Sequence, residues 1–127
     1  METGIKGFRE ITVTDEMTAA KAGSGSLEVF ATPCMISLIE GTAASSVAGN
    51  LKEGQSTVGT SIEVSHVSPT PVGMKVTCET ELIQSDRRKL VFSVKAFDEK
   101  GLIGEGTHER FIVDNQPFLE KCRDKLK

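Results

Sequence analysis

The sequence contains no tryptophan and no tyrosine, two histidines and three cysteines, and each shortage excludes something. With a net charge of −3, no basic stripe and few aromatics, the chain lacks the footprint of a nucleic-acid binder. Cys34, Cys78 and Cys122 are odd in number and form no Cys-x-x-Cys pair. Neither a disulfide framework nor a dithiol motif is expected, and a reducing cytoplasm fits best. The two histidines join no His/Cys/Asp cluster at ligand spacing, so no metal is expected. No apolar run approaches the ~20 residues of a membrane span. Met1–Lys6 lacks a basic segment leading into an apolar one, so no secretory signal is expected. Repeats and low-complexity runs are missing too. The 127 residues, 38% hydrophobic and 26% charged, therefore read as one domain, 1–127, large enough for a core without staples.

What is present is organised around one bare helix. Thr32-Pro33 supplies an N-cap residue and a proline suited to the first turn, and Gly49-Asn50 supplies types that tolerate a left-handed C-cap. Between them Glu40 is the only charge, so the helix is expected to be covered by protein on most sides. Gly41, Ala44, Ser45 and Ala48 line one edge with small side chains, which lets another backbone come close. A lone carboxylate in such a helix is costly unless it is partnered, and desolvation there favours its neutral form; the plain alternative is a glutamate that reaches solvent at the helix edge or bonds a neighbouring backbone.

Strands surround this helix in the chain. Phe8–Thr14 reads as a first strand, and residues 15–28 as a small, polar connection with one short helical turn. Four long strands follow, each with apolar and polar residues alternating. Val58, Thr60, Ile62, Val64 and His66 share one expected inward face. Met74, Val76, Cys78, Thr80 and Leu82 form the next, then Leu90, Phe92, Val94 and Ala96, then a strand from Leu102 to Val113. Pro117–Leu126 reads as a short amphipathic helix. The order implies an α+β domain: one long central helix wrapped by a single antiparallel sheet of about five strands, the last four as a meander. Its open edges suit sheet-to-sheet pairing in a homodimer.

Three residues carry candidate chemistry. His66 ends an inward stripe where an apolar residue is expected; the plain alternative is a hydrogen-bonded histidine at the core edge. The helix packed on that face begins at Thr32 and carries Glu40. An imidazole, a hydroxyl, a carboxylate and the free N–H groups of a helix start suit acyl transfer to water. Gly101–Gly106 leads into no helix, so a close backbone contact explains its glycines better than a phosphate loop. His108 reads as structural. Arg87, Arg88 and Lys89 form a hairpin tip that is either solvated or able to meet a ligand phosphate.

Val29-Phe-Ala-Thr32 with Met35 and Glu40, Gly59-Thr60 with Val64-Ser-His66, and Gly106-Thr-His-Glu-Arg110 together resemble the fluoroacetyl-CoA thioesterase family of hotdog-fold proteins. The resemblance implies a hotdog fold, dimers whose sheets join, and catalytic residues at Thr32, Glu40 and His66. It also implies an oxyanion-site glycine at Gly59, with Phe30 and Pro33 on the substrate side. The family's fluoroacetyl-specific member carries a longer, aromatic lid with a gating phenylalanine; here that stretch is short and polar, and the gate position reads Ser26. The expected activity is hydrolysis of a short or medium acyl-CoA thioester without cofactor, with Glu40 as general base or nucleophile. An acyl-CoA hydratase or dehydratase, and a non-catalytic acyl-CoA or small-ligand binding module, are the alternatives. Thr32 and Glu40 lie eight residues apart, about 12 Å along a helix, so a composite site across a dimer two-fold is expected.

Overall fold

β-Branched and alternating residues give the first strand, β1 (Lys6–Thr12), which begins and ends two residues earlier than its sequence pattern suggests. In the computed structural model, which describes residues 1–127, a 3-10 turn (Asp15–Met17) and one helical turn, α1 (Ala19–Ala22), lead to the central helix α2 (Thr32–Val47). Strands β2 (Gln55–His66), β3 (Lys75–Asp86), β4 (Lys89–Asp98) and β5 (Gly101–Asp114) follow, and α3 (Asn115–Arg123) closes the chain with a last 3-10 turn.

The five strands form one antiparallel sheet in the order β1-β3-β4-β5-β2. Only β3, β4 and β5 form the expected meander, because two-residue turns join them. The link from β2 to β3 spans residues 67–74 and contains Pro69 and Pro71, so it makes no tight hairpin. It carries the chain across the sheet, and β2 pairs with β5 at the far edge. At the first hairpin, Arg87 adopts φ 56°, the left-handed conformation such short turns require.

Helix α2 differs at both ends from the expected caps. Ala31 is the N-cap, and Thr32 is already helical with no capping bond from its side chain, which is engaged elsewhere. Its far end tightens into a 3-10 turn at Ala48–Asn50, with Gly49 outside the left-handed region. Met35, Leu38, Ile39, Ala43 and Val47 pack on Val76, Cys78 and Leu82 of β3, Leu90, Phe92, Val94 and Ala96 of β4, and Ile103 of β5. Each large side chain buried in this layer contributes about 1.5–3 kcal/mol. The expected inward faces of β3 and β4 are thus observed, Met74 alone lying outside β3.

On β2 the inward face differs, because the register with β5 shifts between Gly59 and Ser61. Thr60 is the extra residue and is exposed. The bulge reverses the alternation, so Val58 stands opposite the exposed Phe111, and Gly59 stands opposite the buried Arg110. Two of the three glycines of β5 serve close contacts, as expected, while Gly101 meets nothing and instead adopts a positive φ at the turn. A side chain at Gly104 would strike Met35, and one at Gly106 the backbone of Glu63 and Val64.

The small edge of α2 is approached by β1. A β-carbon on Gly7 would lie 2.9 Å from Ser46 Cβ and 3.0 Å from the Thr42 carbonyl oxygen, while Arg9 lies across Gly41 and donates to Ser45 Oγ at 2.6 Å. Replacing Gly7 by alanine must push strand from helix. We expect Gly7→Ala to cost about 1–3 kcal/mol and to lower Tm by several degrees. Gly49→Ala, which meets nothing, should change stability by less than about 0.5 kcal/mol. Thermal denaturation of both variants checks this; equal Tm values would refute the close approach.

Candidate active site

The start of α2 meets the end of β2. Thr32 Oγ1 and His66 Nδ1 lie 2.8 Å apart, a hydrogen bond between residues far apart in sequence. Phe30 is fully buried and presents its ring edge-on to His66, centroids 6.5 Å apart at 79°. These three, with Ala19, Ser24 and Val67 among others, line an open cavity of about 300 Å³. His66 Nε2 is buried without a hydrogen-bond partner. Burial pushes the His66 pKa below its ordinary value, partly opposed by the Ser68 backbone. The ring is therefore neutral near pH 7 and able to accept a proton.

A second cluster lies further along α2. Glu40 is neither isolated nor fully buried: its side chain is 44% exposed, and Oε2 lies 3.5 Å from Arg110 Nη1. The partner that a carboxylate on this helix needs is thus Arg110, and the expectation that the side chain is buried away from water is corrected by its exposure. Arg110 is buried on the inward face of β5. Its Nε donates to Thr57 Oγ1 at 2.8 Å, and Nη2 donates to the Thr57 carbonyl at 2.9 Å. Desolvation lowers its pKa, with Glu40 acting in the opposite direction. His108 is buried between Phe92, on which it stacks, and this guanidinium. A β-carbon at residue 59 would stand 2.7 Å from Glu40 Oε2, 3.3 Å from His108 Cε1 and 3.4 Å from Arg110 Nη1. Glycine is the residue that leaves the carboxylate room. Glu40, Gly59, Thr60, Ser61, Ile62 and His108 line an open cavity of about 310 Å³.

Of the residues singled out in the sequence, Thr32, His66 and Phe30 come together in one cavity, and Glu40 and Gly59 in another. Pro33 is exposed in the first turn of α2 and lines neither. Arg110 is the residue the sequence reading passed over. The signal was available: it sits two positions beyond His108 on the inward alternation of β5, and an inward cation requires an acid partner. No group of three or more His, Cys, Asp or Glu side chains is placed to hold a metal ion, and no helix is long and apolar enough to cross a membrane.

Comparison with known proteins identifies the family and the fold. The chain is 40% identical over 98 residues to the fluoroacetyl-CoA thioesterase of Streptantibioticus cattleyicolor, a match spanning 77% of this chain and 70% of that protein. A variant of the fluoroacetyl-CoA enzyme FlK, solved in complex with acetyl-CoA, superposes with a TM-score of 0.94 at 32% identity over the whole of both chains. A thioesterase superfamily member from Thermus thermophilus superposes with a TM-score of 0.89 at 27% identity, covering 98% of this chain and 92% of that one. These matches confirm the hotdog fold. Residues 13–116 match the family of fluoroacetyl-CoA-specific thioesterases, and a match over that much of the sequence, joined to the close superposition, shows that the chain belongs to this family of thioester hydrolases.

Proposed function

We propose that this protein hydrolyses a short or medium acyl-CoA thioester to the free acid and CoA, without metal or redox cofactor. The observation that carries the reading is the Thr32–His66 hydrogen bond at the mouth of a cavity beside the N-terminus of α2. Water that gives its proton to Glu40 attacks the thioester carbonyl, or Glu40 itself attacks it to form an acyl-enzyme anhydride that water then hydrolyses to the free acid. Backbone N–H groups, that of Gly59 among them, hold the oxygen that becomes negative, the C–S bond breaks, and the departing thiolate takes a proton. Thr32 positions the attacking group and neutral His66 moves the proton. Glu40→Gln removes the ionised carboxylate while keeping its shape. Turnover is expected to fall roughly 10²-fold or more, on the scale of a lost general base. Thiol release by purified protein measures it, and near-unchanged turnover would refute the role.

The working unit in this reading is a homodimer. Within one chain Thr32 and Glu40 open on different cavities. Residues i and i+8 of a helix are also separated by about 12 Å. An antiparallel second copy of α2 brings Thr32 and His66 of one subunit towards Glu40 of the other. The open twelve-residue edge of β2 supplies a place for sheet-to-sheet pairing. Thr32→Ala and Glu40→Ala homodimers should each be nearly inactive, whereas heterodimers of the two should recover one intact site. Absence of recovery in verified heterodimers would place the whole site in one chain.

The acyl group follows from the entrance. One matched protein is a fluoroacetyl-CoA thioesterase, and a variant of FlK was solved in complex with acetyl-CoA. In this chain the position of the gating phenylalanine holds an exposed Ser26, and Ser24 lines the cavity. A polar, open rim provides no contact that distinguishes one fluorine from hydrogen. Comparable kcat/KM for acetyl-CoA and fluoroacetyl-CoA is the expected result of a panel of acyl-CoA esters. A strong preference for the fluorinated ester would show that selection resides elsewhere.

A further inference from the structure

The buried polar groups behind Glu40 define a protonation state without ambiguity. The Arg110 guanidinium can only donate, so His108 Nε2, 3.1 Å from Nη1, must be an acceptor and carry no proton. The Ser61 carbonyl can only accept, so His108 Nδ1, 2.7 Å away, must carry the proton. His108 is thereby held as the neutral Nδ1–H tautomer. Protonating Nε2 would set an N–H against an N–H of the cation and break the contact.

We propose that His108 is a positioning residue of the hydrolytic reaction: the lone pair of its Nε2 fixes the guanidinium of Arg110, which in turn holds the carboxylate of Glu40 beside Gly59. The proposal rests on the reading of Glu40 as the reacting carboxylate. Geometry assigns each member a distinct task. Thr57 takes Nε and Nη2 of Arg110, leaving Nη1 between His108, to which it donates, and Glu40, which it faces as an ion pair at 3.5 Å. Phe92 backs the imidazole, with ring centroids 6.3 Å apart. The exposed side of Glu40 is left free for substrate, since its partner approaches from the protein side.

Acid should undo this arrangement. The charged groups acting on His108 are Arg110 and Glu109 of β5 and Glu40 of α2; β2 faces it with the Ser61 carbonyl and Ile62, and β4 with Phe92. Burial keeps its pKa below the ordinary value, with the Ser61 carbonyl opposing and Arg110 reinforcing that shift. The unfolded chain therefore takes up a proton at a higher pH than the folded one. Stability from this group is complete above the ordinary histidine range and is lost as pH falls through it.

The test combines tautomer, kinetics and coupling. With only two histidines in the chain, long-range proton–nitrogen spectra of histidine-labelled protein resolve both rings; His108 is expected as the Nδ1–H form, and an Nε2–H form overturns the proposal. His108→Gln retains an acceptor near the Nε2 position, whereas His108→Leu retains none. His108→Leu should lower kcat roughly tenfold or more with little change in KM, and His108→Gln should recover most of that loss. The acid inflection contributed by His108 should vanish in His108→Gln. In a Glu40→Gln background, His108→Leu should add almost nothing, because it acts through the carboxylate. Additive losses, or wild-type kcat in a folded His108→Leu, overturn the proposal while leaving the Glu40 reading intact. Full activity of Glu40→Gln alone removes the Glu40 reading and, with it, the positioning role of His108.

Discussion

The clearance between Glu40 and residue 59 is the constraint on which the site depends. A β-carbon there would come within 2.7 Å of the carboxylate oxygen, closer than packed atoms allow. Glycine alone would not suffice, because it must also face inward, and in an uninterrupted β2 the stripe through His66 would leave it facing out. The extra residue Thr60 reverses the alternation just where it matters. Thr60 is itself tied back by a bond from its hydroxyl to the Glu109 carbonyl at 3.2 Å. The bulge, the glycine and the carboxylate are therefore one feature. Removing any of them changes the place of the others.

The same strand shows why the fold was legible and its details were not. Alternation runs unbroken from Val76 to Leu82 in β3 and from Leu90 to Ala96 in β4, the bulge at Ile83 lying beyond the first of these stretches, so those core residues could be read off directly. In β2 the period slips by one residue, and a pattern count carries the error through Val58 and Thr60. Strand order is a different case. Nothing in the alternation of β2 says whether it pairs with β3 or β5; the length and two prolines of the 67–74 link argue against a hairpin but do not name the partner. The helix cap misled for a chemical reason. Threonine before proline has the signature of an N-cap, yet Thr32 uses its hydroxyl on His66, and Ala31 is left to start the helix with its backbone alone.

Of the site, His66 was visible because it interrupts an apolar stripe, and Glu40 because it is the one charge on a bare helix. Arg110 and His108 were not, because each was weighed against its own strand. Seen together with Glu40 they are a single polar inclusion in an apolar layer, and a buried cation next to a carboxylate would have linked β5 to α2. The three residue motifs of the family contain the same information in another form. They name positions without explaining why an arginine accompanies a glutamate seventy residues earlier in the chain.

The division of the site into two cavities follows from helix geometry alone. At 100° per residue, eight residues turn the helix through two full turns and about 80° more, so Thr32 and Glu40 differ in direction as well as in height. Thr32 faces the end of β2 and Glu40 faces its bulge. Part of the small-residue edge of α2 is already taken by β1, whose Arg9 spans Gly41 and donates to Ser45. Glu40 opens, together with Ile62, on the cavity beside the bulge of the edge strand β2. A composite site and a sheet joined at β2 thus draw on the same uncovered surface, so that the apolar area driving association and the residues completing the chemistry are adjacent. On the proposed composite reading, catalysis would require assembly, with the carboxylate paired to Arg110 in one subunit completed by Thr32 and His66 of a second copy.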